Sequence, residues 1–245
     1  MRALGIESAT SRQSVALVED DRLVAEASYL AEGTRGGGLM PALDEVLRQA
    51  GVAPRDLGLV AVSVGPGSFT GLRVGLATAK GLALGTGAAL VGVPTLEVLA
   101  EGYPVPDAII CAVLDAYRGE VYTALFRRRN GRLERLSVDA VQAPEALATT
   151  LGIVDGEAHL IGNGAGRYRE RLQAALGARA IMTEEGLRAV PSAAVVARLG
   201  LRKLGQLEGG ERTGSEVVPV YVRRAEAEVN WDKGLVQSPL ARVRQ

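Results

Sequence analysis

The pattern of hydrophobic and polar positions along this chain predicts strands and helices in a regular order. Short apolar or alternating stretches predict strands, and apolar residues then recur at helical spacing across residues 39–50. Pro41 fits the first turn of that helix and Gly51 fits its end. Strands followed by helices predict an α/β fold. In the first half of the chain the predicted strands span residues 3–6, 14–19, 23–30, 59–64 and 90–93.

The second half of the chain repeats the order of elements of the first. LGIESATSRQSVAL consists of an apolar strand, an acid, a polar turn and a second strand, and CAVLDAYRGEVYTAL has the same order. VAVSVGPGSFTGLRVGL and HLIGNGAGRYRERL each contain a strand, a glycine turn and a helix. The repeat predicts a duplication. We expect subdomains at 1–104 and 105–228, followed by a tail at 229–245.

Each half opens with an antiparallel hairpin whose turn carries an acid, Glu7 or Asp115. Two such hairpins resemble the actin-like, sugar-kinase-like (ASKHA) ATPase fold, in which both face one nucleotide cleft. These acids would either orient Mg²⁺ and water near phosphates or stabilise their own turns. The second interpretation is favoured, because no base, lysine or metal cluster accompanies them.

Charge and rare residues exclude several classes of function. The chain has 28 basic and 28 acidic residues, so it lacks the global basic excess of proteins that bind nucleic acid alone. A local excess of five arginines at 127–135, with Glu134 against them, is typical of a solvated hairpin end. The single Cys111 excludes an intramolecular disulfide. The single His159 excludes a zinc site with two histidines, and no metal site is expected.

The sequence shows no targeting or membrane signal. No uncharged run reaches the about 20 residues of a membrane-spanning helix. Glu7 interrupts the start of the chain, where a signal peptide is apolar. We therefore expect a cytoplasmic protein without a membrane partner.

The loop GPGSFTG at 65–71 precedes a helix that the pattern starts at Leu72. Its glycines allow close approach of a ligand, and the free N–H groups of a helix start can bind an anion. Thr70 is a candidate cap for that helix. The loop lacks the Walker A and dinucleotide patterns, so a tight structural turn is the alternative. The candidate nucleotide-binding or anion-binding residues are Glu7, Ser8, Gly65, Gly67, Ser68, Thr70, Gly71 and Asp115.

The helix after this loop is apolar on nearly all sides. Such a helix must be covered all round, either by the chain's own core or by a partner subunit, and the partner is favoured. Gly71, Gly75 and Ala79 form a stripe of small residues that would let a partner helix approach closely.

The run SVGPGSFTGLRVGLATAKGLA at 63–83 resembles the signature of the TsaB (YeaZ) family. Four further segments resemble this family in order, so that the resemblance covers about residues 1–225. The family supplies the non-catalytic partner in bacterial biosynthesis of threonylcarbamoyladenosine on tRNA. The four segments are ESATSRQSVAL, LMPALDEVL, LDAYRGEVYTALF and VPVYVRR.

The resemblance implies an actin-like fold and a catalytic paralogue, TsaD. TsaD would hold the metal and transfer threonylcarbamoyl from its adenylate to the adenosine beside the anticodon. This chain would be a scaffold and activator, not an enzyme by itself, and would require no cofactor of its own. ATP or ADP would bind at or near the partner interface. A TsaE-like ATPase would join the complex, tRNA would be contacted only indirectly, and homodimers would form without TsaD.

In the family, the helices equivalent to 39–50 and 72–85 contact the partner. Two departures from the family pattern bear on the site: Glu7 replaces an aspartate, and TRGGG at 34–38 replaces a segment containing His-Ser. A stand-alone small ATPase or kinase that uses Glu7, Asp115 and the glycine loop is the alternative function, and a metal-dependent peptidase is disfavoured by the single histidine. The implied interface residues are Leu39, Leu43, Val46, Leu47, Leu72, Arg73, Gly75, Leu76, Ala79, Lys80 and Ala83.

Overall fold

The computed structural model describes residues 1–31, 38–206 and 216–223. These residues form two β-sheets with helices on their faces. The strands are β1 Arg2–Glu7, β2 Arg12–Glu19, β3 Arg22–Leu30, β4 Leu59–Gly65, β5 Ala89–Pro94, β6 Ile109–Asp115, β7 Val121–Arg129, β8 Arg132–Arg135, β9 Ala140–Gln142, β10 Ala158–Ile161 and β11 Ala180–Ile181. The α-helices are α1 Leu39–Ala50, α2 Phe69–Thr86, α3 Thr95–Gly102, α4 Leu147–Thr150, α5 Asn163–Arg167, α6 Arg169–Leu176, α7 Glu184–Arg188 and α8 Ala193–Gln206.

The two sheets have the same topology. The first sheet has the order β3-β2-β1-β4-β5, and the second has β8-β7-β6-β10-β11, with β9 added beside β7. In each sheet the first three strands form an antiparallel meander. The last two strands then add in parallel on the other side of the first one. This correspondence confirms the predicted duplication and the α/β class.

Helices α1 and α2 cover one face of the first sheet. Leu43 and Val46 of α1 and Leu76 of α2 share a buried cluster with strand residues such as Leu4 and Ile6. The hydrophobic spacing of α1 puts most of its apolar residues on one side, and its exposed side is polar apart from Met40 and Pro41 at the helix start. Gly51 ends α1 in the left-handed conformation at φ 65°, as predicted.

Each half of the chain contributes a helix that packs against the sheet of the other half. Helix α8 comes late in the sequence but covers the other face of the first sheet, where Val196 and Leu199 pack beside Leu59. Helix α3 precedes the predicted boundary at residue 104 but packs with Phe126 of the second sheet. The division at 104–105 stays a prediction.

Residues 217–222 form an extended segment without strand assignment. The backbone N–H of Val220 donates to the Val64 carbonyl at 2.7 Å, which attaches this segment to the first sheet. Arg223 binds Glu120 and donates to the Ala116 carbonyl at 2.6 Å, which attaches it to the second. The segment therefore connects both subdomains.

Other sequence predictions fall outside the described residues or concern membranes. Residues 34–37 of the TRGGG segment and the predicted tail at 229–245 lie outside them. Among the helices of the described residues, none combines the length and the hydropathy that crossing a membrane requires.

Candidate functional site

Helix α2 lies directly on the turn between β1 and β2. A Cβ atom on Gly71 would lie 2.1 Å from the Ser8 carbonyl oxygen, and one on Gly75 would lie 2.1 Å from Ser8 Oγ. Ala79 is fully buried. The stripe Gly71–Gly75–Ala79 therefore lets α2 approach the chain's own hairpin, and the prediction that it admits a partner helix is wrong.

The start of α2 also differs from the prediction. The helix begins at Phe69, three residues before Leu72, because Ser68 caps it by accepting a hydrogen bond from the Gly71 N–H at 3.2 Å. Thr70 is thus an exposed residue of the first turn and does not cap. The Ser68 N–H donates to the Ala9 carbonyl at 2.7 Å, so the loop is fixed to the hairpin turn at the same point.

The carboxyl group of Glu7 is buried beside the hairpin turn to which this loop is fixed. Glu7 is fully buried, and its Oε1 accepts the Ala9 N–H at 2.7 Å. Burial raises the pKa of Glu7 to about 7, although the Ala9 hydrogen bond favours the charged form. Among the described residues, Glu7 Oε2 and Ser8 Oγ have no hydrogen-bond partner. A ligand from solvent cannot reach either group in this conformation.

The second acid, Asp115, is occupied by its own subdomain. Its Oδ1 accepts the Tyr117 N–H at 2.9 Å and the Tyr168 hydroxyl at 3.1 Å. Its Oδ2 pairs with Arg167 at 3.1 Å, and its side chain is 7% exposed. These contacts stabilise the β6–β7 turn, which is the interpretation that the sequence favoured.

The predicted anion-binding residues therefore form two separate groups. The structure brings Glu7 and Ser8 together with Gly67 and Gly71, where the glycines serve close packing of backbone on backbone. Gly65 is covered by Val220, whose carbonyl oxygen would lie 2.5 Å from a Cβ there. The described contacts of Asp115 all lie within the second subdomain. Binding of a nucleotide by these residues stays a prediction.

Most of the predicted interface residues lie inside the chain's own core. Arg73 is exposed, Lys80 is half-buried, and Ala83 is partly buried against the first core cluster. Because the buried members of the predicted set have little exposed surface, a partner surface on α2 would consist mainly of its exposed residues, of which Arg73 belongs to the predicted set. The predicted interface stays a prediction. The buried members of the predicted set are Leu39, Leu43, Val46, Leu47, Leu72, Gly75, Leu76 and Ala79.

The exposed side of α2 is almost free of charge. Its residues recur at helical spacing and carry a single charged side chain, Arg73. Val74 is 49% exposed and Leu84 is 89% exposed, although both are aliphatic. Sequence reasoning missed Val74 and Leu84 because α2 is apolar all round, so that its pattern does not say which side faces the core. We call this surface the α2 outer face: Thr70, Arg73, Val74, Ala77, Gly81, Leu84 and Gly85.

An aromatic cluster borders the α2 outer face at the helix start. The Arg73 guanidinium lies 3.7 Å from the centre of the Phe69 ring, and its Nε donates to the Tyr221 hydroxyl at 3.0 Å. The rings of Phe69 and Tyr221 are 5.2 Å apart and partly exposed. The extended segment at 216–223 thus adds to the surface that α2 presents.

Metal-binding side chains do not converge in the described part of the chain. No group of three or more histidine, cysteine, aspartate or glutamate residues is found there that could hold an ion. His159 instead lies 3.4 Å from the Tyr103 hydroxyl through its Nδ1, and burial lowers its pKa. The Tyr103 hydroxyl also lies 3.1 Å from Thr183, so His159 belongs to a structural contact.

Comparison with known proteins identifies close relatives along the whole chain. The family model of TsaD, tRNA N6-adenosine threonylcarbamoyltransferase, matches residues 37–231. The tRNA threonylcarbamoyladenosine biosynthesis protein TsaB of Bacillus subtilis is 30% identical, covering 94% of this chain and 98% of its own. TsaB of Escherichia coli is 35% identical, covering 67% of this chain and 72% of its own.

A solved structure shows the same fold. It is a Pseudomonas aeruginosa protein described as similar to peptidase YeaZ, and it superposes with a TM-score of 0.76 at 26% identity. The superposition covers 91% of this chain and 99% of that one, which confirms the predicted fold. With the end-to-end match to the Bacillus subtilis protein, it shows that this chain belongs to the TsaB (YeaZ) family.

Proposed function

We propose that this chain is the non-catalytic subunit of the complex that adds threonylcarbamoyl to N6 of the adenosine beside the anticodon of tRNAs. It acts by binding a TsaD-like catalytic paralogue through the α2 outer face and thereby activating it. The observation that carries the proposal is this exposed, nearly uncharged helix face in a chain of the TsaB family. An aliphatic face of this kind is typical of a surface that a partner covers.

The state of the two acids supports the non-catalytic role. Glu7 is fully buried, and both carboxylate oxygens of Asp115 have partners within its own subdomain, which disfavours a nucleotide or metal at either acid. A stand-alone ATPase or kinase would need at least one of them at an open site. That alternative is not favoured by the TsaB relatives either.

The remaining parts of the proposal follow from the same surface. In the absence of the paralogue, the α2 outer face would pair with the same face of a second copy of this chain, because that face is exposed on both copies. The chain requires no cofactor, and any ATP or ADP binds at or near the partner interface. A TsaE-like ATPase joins the assembled complex. Because its complex would act on tRNA, the chain would function in the cytoplasm.

Charged substitutions on the α2 outer face test the proposal. Val74→Glu and Leu84→Lys each place a charge on an exposed position, so the chain should fold normally. An unpaired charge in a covered interface costs several kcal/mol, so each variant should bind the paralogue at least about tenfold more weakly. Binding is measured by titration of the purified paralogue, and folding by circular dichroism.

Matched controls come from exposed aliphatic residues elsewhere. Val138 is 81% exposed and Ile153 is 61% exposed, so Val138→Glu and Ile153→Lys make the same changes away from α2. Both controls should bind the paralogue as the parent chain does. Unchanged binding by the two α2 variants would overturn the proposed surface, and failure of the parent chain to bind would overturn the proposed function.

A further inference from the structure

We propose that the outer face of the β7–β8 hairpin binds the phosphate backbone of the tRNA. This face consists of Arg127, Arg129, Arg132 and Glu134, and we call it the arginine face. The inference rests on the proposed function, because it takes the tRNA of that reaction as its ligand. It adds a direct RNA contact by this chain to the contacts that the paralogue makes.

The register of the hairpin puts these side chains together. Arg127 lies opposite Glu134, and Arg129 lies opposite Arg132, in antiparallel pairing. Opposite residues share one face of a sheet, with Cβ atoms about 4.5–5.5 Å apart. Three arginines and one glutamate therefore occupy one side of the hairpin, next to a tight turn at Asn130 and Gly131.

The two remaining arginines of the hairpin lie on its other face and are neutralised. Arg128 donates to the carbonyls of Ala100 and Glu101 and pairs with the Glu101 carboxylate at 3.7 Å. Arg135 pairs with Asp139 at 2.5 Å. The fold thus supplies an acid for each arginine of this inner face.

The arginine face is not neutralised in the same way, although Glu134 lies opposite Arg127. Arg127, Arg129 and Arg132 are exposed, and none of them forms an ion pair within the described residues. Like charges placed directly opposite each other in a sheet are destabilising, so the pair Arg129 and Arg132 costs the fold stability. An anionic ligand that contacts both side chains would remove this repulsion.

The shape of the hairpin end suits an extended anion. The ladder between β6 and β7 ends at Ile109 and Arg127, and the residue Asp107 before β6 stays beside the tip, where its Oδ1 accepts the Asn130 N–H at 2.9 Å. A groove of about 290 Å³ lies beside the tip, and its charged lining residues are Arg127, Arg128 and Arg129 together with one acid, Asp107. Arginine presents a planar fork of donors that matches phosphate oxygens, and RNA offers such groups in a row. The chain has no net charge, so a local excess of this kind is the feature that could attract RNA.

The test measures binding of an unmodified tRNA to the complex of this chain and its paralogue at several salt concentrations. The variant is the triple substitution Arg127→Gln, Arg129→Gln and Arg132→Gln. Each lost phosphate contact lowers the slope of log affinity against log salt by about 0.7–0.9. The triple variant should therefore bind more weakly, with a slope shallower by about 2–3. The corresponding triple lysine variant should keep most of the slope.

A charge-matched control removes three exposed arginines of the first subdomain, through Arg12→Gln, Arg22→Gln and Arg55→Gln. The control complex should keep the parent slope. An unchanged slope in the hairpin variant, or an equal loss in the control, would overturn the inference while tRNA modification by the parent complex still upheld the proposed function. A parent chain that does not assemble with the paralogue would overturn both.

Discussion

Gly71 of α2 lies so close to Ser8 that a methyl group on its Cα would come within 2.1 Å of the Ser8 carbonyl oxygen. Both partners in this contact are backbone, so neither can rotate away. The contact fixes the distance between α2 and the β1–β2 turn. The side of α2 that faces away from this contact is the α2 outer face.

The first prediction is that Gly71→Ala strongly destabilises the chain. The added methyl group requires α2 to move away from the hairpin, at a cost of about 3 kcal/mol in the free energy of unfolding. Gly81→Ala is the matched control within the same helix, because its Cβ would meet nothing within 4 Å. That control should stabilise the chain by about 0.5–1 kcal/mol through helix propensity. Urea unfolding measures the free energy of unfolding of both variants. Equal effects of the two substitutions would contradict the close packing of α2 against the hairpin.

The difference between α1 and α2 shows how much of this site the sequence can predict. In α1, apolar and polar residues alternate at helical spacing, so the pattern alone assigns Leu43 and Val46 to the core and Asp44 to solvent. In α2, Leu76 and Leu84 look alike in sequence, yet Leu76 is 6% exposed and Leu84 is 89% exposed. Only the tertiary contact of Gly71 and Gly75 with Ser8 decides which side faces inward.

The sequence pattern also does not predict that α3 and α8 each pack against the sheet of the other half. Local periodicity carries no information about which sheet each of these helices covers. That choice depends on long-range contacts, such as that of Gly5 in β1, where a Cβ would lie 2.0 Å from the Ala193 carbonyl oxygen. The duplication was predictable, because the order of strands and turns in the first half recurs in the second half.

The second prediction concerns the pH dependence of stability that Glu7 causes. The pKa of Glu7 is about 7 in the folded chain, against an ordinary value of 4.5. Below pH 4.5 the carboxyl group is protonated in both states and contributes no pH dependence. As pH rises from 4.5 to 7, the unfolded chain loses this proton first, so folding becomes less favourable by about 3 kcal/mol in total.

Glu7→Gln isolates this effect, because it keeps the shape and the oxygen that accepts the Ala9 N–H. The variant should gain stability relative to the parent chain between pH 5 and pH 8, as measured by urea unfolding at each pH. Glu45→Gln on the exposed side of α1 controls for the loss of a carboxylate as such. A constant difference between Glu7→Gln and the parent at both pH values would contradict the buried carboxyl group.

The third prediction is that Asp115 acts on stability and not on tRNA modification. Asp115→Asn weakens the hydrogen bonds from Tyr117 and Tyr168 and the ion pair with Arg167. The loss of charge-assisted bonds to a nearly buried group should cost about 2 kcal/mol in unfolding free energy. Asp107→Asn, at an exposed position that accepts one bond from the Asn130 N–H, should cost less than about 1 kcal/mol.

The modification rate separates this role from a catalytic one. At a temperature where both variants are folded, the complex with Asp115→Asn should modify tRNA as fast as the parent complex. A rate that falls by orders of magnitude while the complex stays assembled would assign Asp115 to the reaction and revive the enzyme hypothesis.

The fourth prediction follows from the small residues on the α2 outer face. Ala77, Gly81 and Gly85 succeed one another at intervals of four residues on the exposed side, so a partner helix can approach the backbone of α2 closely there. Gly81→Leu adds a side chain into open space in the free chain, where nothing lies within 4 Å of its Cβ position. Folding should therefore be unaffected or slightly improved, since leucine favours helix over glycine.

In the complex, the same leucine would hold the two helices apart. Overpacking of a close contact costs about 1–3 kcal/mol, so the affinity for the paralogue should fall by about 5-fold to 150-fold. The affinity of Gly81→Ala should lie between those of the parent chain and Gly81→Leu. Titration calorimetry with the paralogue measures this order. Equal affinity of Gly81→Leu and the parent chain would mean that the partner does not approach α2 at Gly81, and the contact would then have to lie toward Val74 and the Phe69–Tyr221 cluster.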